Sequence, residues 1–163
     1  MSESVVVASV EQAVDALELV KVEFYAIEAR RNEEYVPLED EDDHLAGGET
    51  AIRTAYRRRD DGLDFRVSIT LEEPWGRVEA DGAVIYAASE NVEFEPRAIK
   101  DFGEMVAAMT IFPYLREAIT SASERIGVRV VLPLIKRGVI EFAVSGVPSG
   151  EPDSTPDGDD SSE

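Results

Sequence analysis

Residues 102–126 carry the longest helical hydrophobic period in the chain. Apolar side chains recur at Phe102, Met105/Val106, Met109, Phe112, Leu115, Ile119, Ala122 and Ile126. Steps of three and four lay one broad stripe down a long helix. Pro113 falls inside the pattern and predicts a kink near Phe112, because proline lacks the helical N–H and crowds the preceding turn. Gly103, Ala107, Ala108 and Ala118 leave room for another backbone to approach. Glu95-Pro96 reads as the start, and Gly127 as the stop. Such a stripe must be buried against something, and the preceding segments are read for what that is.

They read mostly as strands. Residues 9–18 form a short helix, with Ser9 and Gln12 at capping-box spacing. Residues 19–30 alternate, with Val20, Val22, Phe24 and Ala26 on one face. Residues 50–59 place Ile52, Thr54 and Tyr56 together. Asp60-Asp61-Gly62 signals a hairpin. In residues 63–73, Leu63, Phe65, Val67, Ile69 and Leu71 point in. After the turn Pro74-Trp75-Gly76, residues 77–89 form a fourth strand, where Gly82 predicts a bulge or a close backbone contact. Residues 31–49 break the pattern: a long loop or a disordered insertion, anchored by Tyr35, Val36 and Leu38. After Gly127 comes an apolar run through Pro133. Residues 139–144 fit a short helix or a strand.

Three segments result: residues 1–16, a domain over 17–145, and a disordered acidic tail over 146–163. The fold class is α+β. A four-stranded antiparallel sheet, with a long crossover loop between strands 1 and 2, packs on one long C-terminal helix. One helix covers only part of such a sheet, which predicts burial of a remaining face by a second subunit.

The formal net charge is −19 over 163 residues. Nucleic-acid binding needs clustered Lys and Arg and is disfavoured. Solubility alone, a basic partner or imitation of a polyanion stay open. Residues 33–49 hold eight acids and no Lys or Arg, and residues 151–163 hold six acids and no base. Arg57, Arg58 and Arg59, the single basic cluster, are expected to pair with neighbouring acids. The chain has no cysteine and one histidine, His44. That excludes disulfides, thiolate metal sites and a histidine triad within one chain. Nucleotide-loop, zinc-protease and serine-hydrolase motifs do not occur. No metal, cofactor or enzyme activity is expected. No apolar run is long enough to span a membrane and no basic leader is present, so a cytoplasmic protein without membrane insertion is expected.

Residues 112–121, FPYLREAITS, resemble the signature of the SecB family of bacterial export chaperones, which reads FPYARE with an Ile-Thr-Ser-like continuation. Phe112, Pro113, Tyr114, Arg116 and Glu117 match as structural motif residues, and Leu115 stands where the family usually has Ala. Leu132-Pro133-Leu134 and Ile27-Glu28-Ala29 resemble further family segments. The match covers residues 17 to 140. It implies a homo-tetramer, a dimer of dimers. It also implies an ATP-free holdase for unfolded preproteins or an antitoxin, docking on the SecA motor. Glu28 matches an acidic docking position, and a second falls at Val78 or Glu79. Two departures stand out: little chain is left for the family's lid helix after Gly138, and the tail lacks the family's basic end. Both are similar to solitary SecB-like proteins of toxin–antitoxin–chaperone systems. They fit a drifted export chaperone or a phage-encoded relative equally.

A client groove needs apolar side chains held in water. The candidates are Tyr35, Val36, Leu38, Tyr56, Trp75, Val131, Leu132, Leu134 and Ile135. The alternative function is an acidic, DNA-mimicking inhibitor of a basic enzyme surface, which requires acids arrayed on an ordered face.

Overall fold

The computed structural model describes residues 4–36, 44–45, 49–88 and 91–147. Leu38 and the tail from 148 onward lie outside the described residues. A short strand β1 (Val5–Val7) leads into helix α1 (Val10–Ala16). The predicted capping box forms: Gln12 N–H donates to Ser9 Oγ at 3.3 Å, and Gln12 Oε1 accepts from Ala8 N–H at 2.8 Å. Four long strands follow: β2 (Leu17–Arg31), then, after the two-residue β3 (His44–Leu45), β4 (Glu49–Arg59), β5 (Gly62–Glu73) and β6 (Gly76–Ala88). β7 (Val92–Phe94) pairs with β1 in parallel.

The sheet order is β2-β6-β5-β4, antiparallel throughout. The two hairpins β4–β5 and β5–β6 turn at Asp60-Asp61 and Pro74-Trp75, as the sequence predicts. β2 pairs with β6 rather than with β4, so β2 and β4 are the two edges of the sheet, and the chain from 32 to 48 links them.

One face of the sheet is lined by Leu63, Phe65, Val67, Ile69 and Leu71 of β5 and by Val78, Ala80, Val84 and Tyr86 of β6, all buried. β2 departs from its predicted alternation. Its register shifts between Leu19 and Lys21 and again between Phe24 and Ala26. Each extra residue reverses the facing of the strand beyond it. Val22 and Phe24 therefore share the inner face, but Ile27 and Ala29 continue it. Ala26 pairs with Asp81 on the opposite face instead. Gly82 sits opposite Phe24 beside the second bulge; a Cβ there would lie 2.9 Å from the Glu23 carbonyl oxygen.

The long helix is built in three parts: α2 (Pro96–Phe102), a π-helical segment (Gly103–Ala107) and α3 (Ala108–Arg125). α3 runs unbroken past Pro113; the irregular turn lies earlier, at the π segment. Its wider turn shifts the buried stripe from Phe102 and Gly103 to Ala107, Ala108 and Ile111. Met105 and Met109, expected on the stripe, are displaced to one side, with Met105 43% exposed. The small residues Gly103, Ala107, Ala108 and Ala118 are buried within the protomer itself. Gly127 (φ +78°) ends α3, its N–H bonded to the Glu124 carbonyl.

The chain then turns back along α3. Ser123 is fully buried, and its Oγ accepts from Val130 N–H at 3.1 Å, while Thr120 Oγ1 donates to the Val130 carbonyl. Strand β8 (Val130–Val131) pairs in parallel with β3. Residues 139–144 form neither helix nor strand. They bend at Val139 and Ile140 and then alternate, with Ile140, Phe142 and Val144 buried and Val139, Glu141 and Ala143 exposed. No lid helix forms among the described residues after Gly138. The predicted gap over the sheet is filled in part by this segment.

Candidate functional site

The outer sheet face is a lattice of ion pairs. Asp64, 5% exposed, accepts from Arg57 and from Arg59 Nε at 2.8 Å. Asp81, 8% exposed, takes both arms of Arg66 at 2.8 and 2.6 Å. The Arg66 guanidinium lies 4.3 Å from the Tyr25 ring centre. These carboxylates hold the Arg57 and Arg66 side chains above their ordinary pKa, chiefly through the hydrogen bonds. Arg58 instead bonds the Phe94 carbonyl at 2.8 Å. Arg57 and Arg59 thus pair with acids as expected, while Arg58 is held by a backbone carbonyl instead. An ordered array of unpaired acids, which a polyanion mimic needs, is not what this face presents.

Glu28 and Glu79 stand directly opposite each other across β2 and β6 on that face. Arg77 binds Glu79 at 2.7 Å and reaches Glu72 at 3.6 Å. Glu28, Arg77 and Glu79, together with Ile27, Ala29 and Arg30, line a shallow depression of about 500 Å³ at the β2 edge.

The apolar candidates divide. Trp75 and Leu132 are core residues, 3% and 4% exposed. Trp75 is sealed in because the Asn32 N–H bonds its carbonyl at 2.8 Å and the Asn32 side chain bonds Pro74. Leu132 follows β8 inward. Neither offers a groove surface. Tyr35, Tyr56 and Ile135 are half-buried against the core, while Val131 is half-buried on β8. Val36 and Leu134 are each 79% exposed. The β3–β8 pairing, His44 opposite Val130 and Leu45 opposite Val131, brings the crossing segment alongside the apolar run after α3. The sequence marks these two regions separately, and the fold joins them. Of the motif residues, Phe112 is buried, Arg116 half-buried, and Pro113, Tyr114 and Glu117 exposed.

Two further apolar surfaces had no clear sequence signal. Leu19, Val20, Phe24, Tyr25 and Ile27 are 40–56% exposed along the edge strand β2. A groove of about 530 Å³ runs between α1 and the π segment, floored by Val10, Val14, Met105, Val106 and Met109 and rimmed by Glu11, Asp15 and Arg137. The shifted helical phase creates it. Among the described residues, no group of acids and histidine is arranged to hold a metal. No described helix is long and apolar enough to cross a membrane.

No family model matches the chain. The SecB-like chaperone SmegB of Mycolicibacterium smegmatis is 26% identical over 137 residues, covering 83% of this chain and 87% of that one. The SecB-like chaperone Rv1957 of Mycobacterium tuberculosis, solved with a ChAD peptide from the HigA1 antitoxin, superposes with a TM-score of 0.63. That match covers 77% of this chain and 92% of the other at 10% identity. The chain is SecB-like. In this SecB-like chain the antiparallel sheet, the edge-to-edge connection and the long helix bearing the FPYLRE motif are one fold, as the resemblance implied.

Proposed function

We propose that this SecB-like chain is an ATP-independent holdase that binds unfolded polypeptides. The observation that carries the reading is two strongly exposed apolar side chains in a chain of net charge −19: Val36 at the start of the crossing segment and Leu134 in the run after α3. The β3–β8 pairing joins those two segments at Val130 and Val131. Unfolded clients offer apolar side chains, and the charge keeps such a surface soluble. The relation to SmegB and the fold shared with Rv1957 support it. Since Rv1957 was solved holding an antitoxin peptide, the favoured client is an antitoxin segment rather than a broad set of export precursors. The exposed apolar edge of β2 supports assembly into a homo-tetramer, and Glu28 with Glu79 remains the candidate contact for SecA in the cytoplasm.

The test is aggregation of a chemically unfolded client, followed by light scattering without nucleotide. The wild type is expected to suppress it. A Val36→Asp/Leu134→Asp variant with unchanged circular dichroism is expected to lose suppression. Failure of the wild type, or full activity of the variant, would sink the reading. Capture of clients in the native host then separates one antitoxin from many precursors, and added SecA tests the docking pair. Light-scattering mass tests the tetramer.

A further inference from the structure

Residues 139–145 are held in an unusual way for core chain. Ile140, Phe142 and Val144 are 2%, 1% and 5% exposed, yet no N–H of residues 140–145 donates to another backbone carbonyl among the described residues. Chain buried this deeply is ordinarily stitched to its neighbours by backbone bonds. Here side chains of other elements do the holding. Thr54 Oγ1 on β4 donates to the Glu141 carbonyl at 2.7 Å, and Glu104 Oε1 in the π segment accepts from Phe142 N–H at 3.2 Å. Glu104 is itself pinned by Lys100. The Phe142 ring stands edge-on to Phe65, centres 5.3 Å apart, in space that Gly103 leaves by having no side chain.

This is how a site reads a peptide whose sequence it does not know. Two side chains take the backbone, and pockets on one side take alternate residues. Glycines of positive φ bound the segment. Gly138 (φ +81°) has open space around it, and Gly146 (φ +93°) rests on Pro96.

We propose that residues 139–145 are a resident occupant of the chain's own polypeptide groove. The groove lies between β4 and the π segment, and Thr54 and Glu104 are its backbone-reading residues. Its ligand class is an extended polypeptide with apolar side chains at every second position and an aromatic one at the centre. A client enters by displacing the resident segment. The inference rests on the holdase reading and adds to the Val36 and Leu134 surface a second, self-occupied binding segment.

Amide exchange of the wild-type chain tests it, with and without saturating reduced, carboxymethylated α-lactalbumin, whose binding is measured separately by sedimentation. Exchange at the bonded amides of Val139, Phe142 and Val147 is expected to rise about tenfold on binding while β5 and β6 stay protected. A Phe142→Ala variant that keeps its circular dichroism is expected to bind the probe about tenfold more tightly, since less of it is self-occupied. Binding with unchanged or slower exchange at 139–147 overturns this inference and leaves the holdase reading standing. Absence of probe binding by the wild type overturns both.

Discussion

Gly103 lacks a side chain where two aromatic rings already stand. A Cβ would fall 2.8 Å from Phe65 and 2.9 Å from Phe142. Gly103→Ala is expected to cost about 1–3 kcal/mol, read as a lower urea midpoint with unchanged slope. The sequence marks Gly103 as a place of close approach, but not what approaches. Its partners lie on a strand and on a segment after the helix, and a linear pattern does not contain that distance. Tyr86 gives a second residue-level expectation. It is 4% exposed, edge-on to Phe102 at 4.9 Å, with a long 3.4 Å contact to Thr110 Oγ1. Burial pushes its phenol above the ordinary 10.0, against the smaller opposing pull of Thr110. The fold therefore favours the neutral ring. That stability is complete below the unfolded value and is lost as pH climbs through the raised one. Tyr86→Phe should cost under about 1 kcal/mol at neutral pH and flatten the alkaline loss, checked by urea midpoints between about pH 8 and pH 11.

At the scale of elements, strands with one buried face were the most legible. Residues 63–73 alternate cleanly because β5 is central, with one face on the core. β2 was legible as a strand but not in its facing, because two bulges are backbone events with no residue-type signature of their own. The helix was legible in extent and misread in phase. A fixed step selected Met105 and Met109, whereas the π segment inserts its extra residue and hands the core to Ala107, Ala108 and Ile111. Residues 139–144 were undecided for a physical reason: they alternate in burial as a strand does but pair with no strand among the described residues. The edge strand β4 owes part of its attachment to Asp64, which grips Arg57 and Arg59 from β5. Asp64→Ala is expected to cost about 1–2 kcal/mol and to speed amide exchange at residues 57–59 before the centre of the sheet.

For the molecule as a whole, charge and apolar surface act together. A net charge of −19 implies that a basic unfolded client binds with help from long-range attraction. Its affinity should fall about tenfold between low and roughly 0.5 M salt, while an acidic client of similar hydrophobicity changes little, as titration at both salts would check. Deleting residues 148–163 should weaken only this salt-sensitive part. Much of the site was legible as composition, since the crossing segment and the apolar run after α3 each stood out. Thr54 and Glu104 were not, because neither residue type is unusual where it stands. Their meaning comes from the backbone that the fold lays across them.

The sheet order has a kinetic consequence. β4, β5 and β6 are joined by tight turns and can zip from local contacts. β2, the first of these four strands to be made, must wait for β6, the last of the four, before any of its residues finds a strand partner. Pulse-labelled refolding should accordingly protect β5 amides ahead of β2. Equal protection from the earliest time point would contradict it. Until β6 emerges, a nascent copy displays fifteen residues of unpaired edge, so each newborn molecule passes through a state of the kind its mature form is proposed to guard.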